Sequence, residues 1–64
     1  MAGLTAREQE IVRLLGQGQR ITDIAKALNI EYDTCRRHVQ NIREKTSIPS
    51  TFELAVKAAV MGRG

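Results

Sequence analysis

The sequence predicts an all-α fold, one compact domain of four helices over residues 1–64. Three observations predict it. Apolar residues recur three and four apart in separate stretches, the spacing that lines one face of a helix, and nowhere alternate as they would in a strand. Helix-stopping residues, Gly18, Asn29 and Pro49, fall between those stretches. A Ser or Thr is followed three residues later by Glu at Thr5-Glu8 and at Ser50-Glu53, the spacing of a capping box at a helix start.

Helix one is expected over residues 6–17, with Leu4 packing back on its first turn. Ile11, Leu14 and Leu15 form its stripe, Val12 lies at the edge, and Gly18 ends it as a left-handed cap. Helix two is expected over residues 22–28, with Thr22 as N-cap and Asp23 where a negative charge meets the positive helix end. Helix three runs over residues 32–46, until Ser47-Ile48-Pro49 breaks the pattern. Helix four covers residues 51–61 and closes at Gly62. Repeats and low-complexity stretches are lacking.

The stretch from Ile21 to Gln40 is the most informative. Ala25 is small enough for two helices to cross closely, and Asn29 tolerates the left-handed conformation a tight turn demands. Ile24 and Leu28 share a face, while Ile30 and Cys35 close the seam. These features make a helix-turn-helix. Successive residues set 100° apart on helix three put Cys35, His38, Val39 and Ile42 inward. Asp33, Arg36, Arg37, Gln40, Asn41 and Glu44 point outward. Arg bonds bidentately to guanine and Gln to adenine in the major groove, so Arg36, Arg37 and Gln40 are the expected base readers.

Helix four carries more apolar residues than one contact needs. Phe52, Ala55, Val56 and Ala59 form one stripe, and Leu54, Ala58 and Met61 a second more than 100° away. One stripe closes the core, and the second is expected to meet the same helix of another copy about a two-fold axis, with Leu54, Ala58 and Met61 as the interface.

Composition narrows the classes. Ten Lys and Arg against seven Asp and Glu give a net charge of +3, in the direction a polyanion partner favours. The charge is placed unevenly: Glu8 and Glu10 lie in helix one, and Arg36, Arg37, Arg43 and Lys45 lie on helix three. A chain of 64 residues has a small core and little room for an enzymatic cleft. Its single cysteine excludes an internal disulfide and reads as a small buried apolar residue, and His38 has no companion ligands. No catalytic residue, metal or cofactor is therefore expected. With neither a membrane-length apolar run nor a signal peptide, a cytoplasmic or nucleoid-associated place is expected. The short leader before Leu4 suggests an output domain separated from a longer protein.

With Leu4-Thr5, Arg7-Glu8, Leu15, Gly18, Ile24-Ala25, Leu28, Ile30, Thr34, His38-Val39 and Ile42 in register, nearly the whole chain resembles the LuxR/FixJ/NarL/GerE family of four-helix DNA-binding domains. The opening Leu-Thr-x-Arg-Glu and the distant Thr34-x-x-x-His38-Val39 are its most specific parts. The resemblance implies an output domain of a bacterial transcription regulator, controlled by a phosphorylated receiver domain or a small molecule. Helix three would enter the major groove of double-stranded DNA, with Arg36, Arg37 and Gln40 on the bases, and helix four would pair two copies on an inverted repeat. Thr22, Lys26, Tyr32, Thr34, Asn41, Arg43 and Lys45, with Arg20 nearby, would contact phosphates. RNA polymerase is a further expected partner.

The chain departs from the family at several places. Cys35 stands where Val is usual, and Arg37 where a smaller residue is common, which should alter base preference. Arg20 and Ile21 replace the usual Ser and Asn, moving the expected cap to Thr22. Thr46 replaces a common Leu and should loosen the end of helix three. Two alternatives keep the scaffold: a promoter-binding domain like region 4 of sigma factors, and a protein-interaction module whose Arg36 and Arg37 meet an acidic surface.

Overall fold

A computed structural model describes residues 3–62 of the chain, so the outermost residues of the expected 1–64 domain, Met1 included, lie outside the described residues. The elements are α1 (Ala6–Gly16), α2 (Ile21–Leu28), α3 (Tyr32–Thr46) and α4 (Thr51–Met61), with no strand among the described residues. The predicted all-α, four-helix class is the class observed.

Local chemistry explains where each helix begins. At α1 the Thr5 hydroxyl accepts from the Glu8 amide at 3.1 Å, and the Glu8 carboxylate accepts from the Thr5 amide at 2.9 Å. Two amides with no helical partner are satisfied reciprocally. At α4 the Ser50 hydroxyl accepts from the Glu53 amide at 3.0 Å. The start of α2 corrects the sequence reading. Its N-cap is Arg20, Thr22 lies inside the helix, and the Arg20 amide donates to the Asp23 carboxylate at 3.5 Å. An acid three residues into a helix performs the backward half of a capping box without a hydroxyl at the cap.

Three helices stop through a left-handed residue. Gly18 has φ +91°, Asn29 +56° and Ser47 +59°. Each turns the chain so that the next amide bonds back to the final turn: Gln19 to the Leu14 carbonyl at 3.2 Å, Ile30 to Ala25 at 2.9 Å, Ile48 to Arg43 at 3.1 Å. These are Schellman closures. The first also puts Gln17, expected inside helix one, at the C-cap. Thr46 is the last residue of α3, and its hydroxyl donates to the Ile42 carbonyl at 2.8 Å.

The core gathers Ile11, Leu14 and Leu15 from α1, Ile24 and Ala25 from α2, Cys35, Val39 and Ile42 from α3, and Leu54 from α4, with Leu4 and Ile48 sealing the ends. α1 packs mainly on α4 and α2 mainly on α3, and α3 also touches α1 and α4. The α1–α4 crossing is close because Gly16 meets Ala58. A methyl added at Gly16 would lie 3.0 Å from the Ala58 carbonyl carbon.

That crossing overturns the expected roles of two residues on α4. Leu54 is 0% exposed and Ala58 is 8% exposed, both turned into the molecule, so they cannot form a surface between copies. The exposed large apolar side chains of α4 are Phe52 at 80%, Val56, Val60 and Met61. The stripe containing Leu54 and Ala58 is the core stripe because those two residues are buried, while the other stripe contributes only half-buried Ala55 to the core. Met61 belongs to the core stripe angularly but remains 56% exposed at the helix end.

Candidate nucleic-acid interface

The turn between α2 and α3 sets the geometry of the site. The left-handed Asn29 reverses the chain, and half-buried Ile30 packs against the core. Ala25 and Cys35, 4% and 0% exposed, bring the two helices together. With Cys35, Val39 and Ile42 buried, the opposite side of α3 is committed to solvent, and Arg36, Arg37, Gln40 and Asn41 are all exposed there. Burial pushes the Cys35 thiol above its ordinary pKa, keeping it a neutral packing group. His38 is half-buried at the edge.

Arg36 and Arg37 have no acidic partner among the described residues; the two ion pairs found are Arg7–Glu10 and Lys45–Glu8. Beside Arg36 and Arg37, a groove of about 470 Å³ is lined by Thr22, Lys26, Asn29, Tyr32 and Thr34, among others. Four of the residues assigned to phosphate contact thus share one concavity at the N-terminus of α3. The α3 N-cap, Glu31, makes no side-chain capping bond, which leaves first-turn amides available to an anion. Asn41 is exposed further along the helix.

The other two side chains assigned to phosphate contact, Lys45 and Arg43, already have partners within the domain. The Lys45 ammonium lies 2.7 Å from the Glu8 carboxylate, which is 3% exposed. The Arg43 guanidinium donates to the Pro49 carbonyl at 2.7 Å, holding the α3–α4 connection. Both cations are structural ties. Sequence reasoning found Glu8 as a capping residue and missed it as the anchor of α3. The signal was a buried-face acid 37 residues from its lysine, a separation that no local pattern exposes.

The fold and this exposed, basic α3 face define a helix-turn-helix domain. The model of the luxR family of bacterial regulatory proteins, GerE, matches residues 2–58. The transcriptional activator protein SolR of Ralstonia nicotianae is 34% identical over 95% of this chain and 26% of its own length. The transcriptional regulatory protein DesR of Bacillus subtilis is 30% identical over 92% of this chain and 30% of its own. The uncharacterized response regulatory protein YgeK of Escherichia coli is 37% identical over 92% of this chain and 40% of its own. No solved structure matches significantly. The chain belongs to the LuxR family, as a DNA-binding domain of transcription regulators, and it spans less than half the length of these relatives.

Proposed function

We propose that this domain binds a specific operator, partly palindromic, with α3 in the major groove and Arg36, Arg37 and Gln40 on base edges. The observation that carries the reading is the exposed face of α3, where a glutamine and two arginines with no acidic partner among the described residues project together. Thr22, Lys26, Tyr32 and Thr34 around the adjoining groove, with Asn41, fix the register on phosphates. The chain acts as one non-catalytic domain in the cytoplasm, where it positions or blocks RNA polymerase.

Two copies act together, joined through the outer face of α4. Phe52, Val56, Ala59 and Val60 lie within one 100° arc of that helix, all exposed, which is a contiguous apolar surface on a small domain. Selection of bound sequences from random duplexes, with titration at several salt concentrations, tests the function. Two half-sites about one helical turn apart, with affinity falling on a log-log slope of about 0.9 per neutralised phosphate, are expected. Recovery of unrelated sequences, bound weakly and lost in moderate salt, would refute a specific reader.

A further inference from the structure

The arrangement of donors on α3 constrains the base composition of the site, an inference that rests on the DNA-reading function proposed above. A guanine presents two acceptors to the major groove, O6 and N7, and a bidentate arginine occupies both. Two arginines used this way therefore need two guanines. Arg36 and Arg37 are adjacent in the chain, so their side chains leave the helix about 100° apart. Both are exposed, and neither is drawn into an ion pair among the described residues although Asp33 lies one turn away. Diverging in this way, they reach different bases.

The third reader limits the span. Arg36 and Gln40 are separated by about 6 Å along the axis, less than two base-pair steps of about 3.4 Å. Asp33 and Glu44, both exposed, close the outer face of α3 at its two ends. Their carboxylates repel phosphates and can accept only from amino groups such as that of cytosine. Donors sit in the middle of the face and acceptors at its rims.

We infer that each half-site contains a core of two to three base pairs holding two separate guanines, one read by Arg36 and the other by Arg37, with Gln40 on an adjoining adenine. Arg37 makes this chain demand a second G·C pair, and the guanine read by each arginine is identifiable by mutation.

The test uses the full chain on the site recovered by selection. Replacing either core G·C pair by A·T should weaken binding about five- to 150-fold. Replacing that guanine by 7-deazaguanine, which lacks N7, should weaken it in the same direction. With Arg37→Ala, the penalty should vanish at one guanine and persist at the other, and Arg36→Ala should give the converse. Circular dichroism establishes that both exposed-site variants keep their helicity. A specific site with fewer than two required G·C pairs per half, or penalties unchanged in both variants, overturns the inference and leaves specific DNA binding standing. Failure to enrich any sequence overturns both.

Discussion

Glu8 does two jobs at one position. Its carboxylate closes the capping box of α1 and, 2.7 Å from the Lys45 ammonium, ties the start of α1 to the end of α3. The hydrogen bond from Lys45 holds its pKa below the ordinary glutamate value, helped by the Thr5 amide and partly opposed by burial. An acid with a lowered folded pKa binds fewer protons folded than unfolded, so its stabilisation is complete above the unfolded pKa. That contribution is lost as pH falls through the lowered value. Stability should thus decline on the acid side of the ordinary glutamate range, and Glu8→Gln should flatten that limb, as urea unfolding across pH will show. Lys45→Met should cost about 1–3 kcal/mol, the penalty of leaving a buried charged acceptor without its donor; it should leave the salt dependence of DNA binding nearly unchanged. By contrast, Arg37→Ala should lower affinity for the preferred operator by about 1–3 kcal/mol with the thermal midpoint intact, measured by parallel titration and melting.

Among the elements, α1 and α4 show packing overriding propensity. A glycine inside a helix costs about 1 kcal/mol relative to alanine, so Gly16→Ala would stabilise an isolated α1. In the folded chain the new methyl meets Ala58 backbone at 3.0 Å, where nothing flexible can yield. Gly16→Ala should therefore lower the melting temperature, with overpacking costing about 1–3 kcal/mol, and an increase would show that the crossing can relax. The α2–α3 pair obeys the opposite balance. There the small residue is Ala25 and the turn residue Asn29, both legible locally because a close crossing and a left-handed φ each admit few side chains.

For the whole molecule, the two stripes of α4 separate folding from association. Leu54→Asp puts a charge where exposure is 0% and should unfold the domain. Val56→Asp, at an exposed position, should keep the fold and weaken self-association. Sedimentation and circular dichroism on the two variants distinguish these outcomes. An unchanged association state in Val56→Asp would remove the outer face of α4 as the contact between copies.

The amino-acid sequence by itself determined the helical class, the helix stops at Gly18 and Asn29, and the resemblance to a family of DNA-binding domains. Those properties depend on backbone conformations and on residues within four positions of one another, where the physics is local. It also placed Cys35, Val39 and Ile42 opposite Arg36, Arg37 and Gln40, since one helical period fixes both faces at once. Only the tertiary structure decided which stripe of α4 is core, because both stripes are apolar and the choice depends on which one the other helices bury. It likewise decided that Lys45 and Arg43 are ties within the domain. Their partners, Glu8 and the Pro49 carbonyl, come within reach only after the chain has folded back on itself, and a basic residue looks the same in sequence whether its charge is spent inside the molecule or offered to DNA.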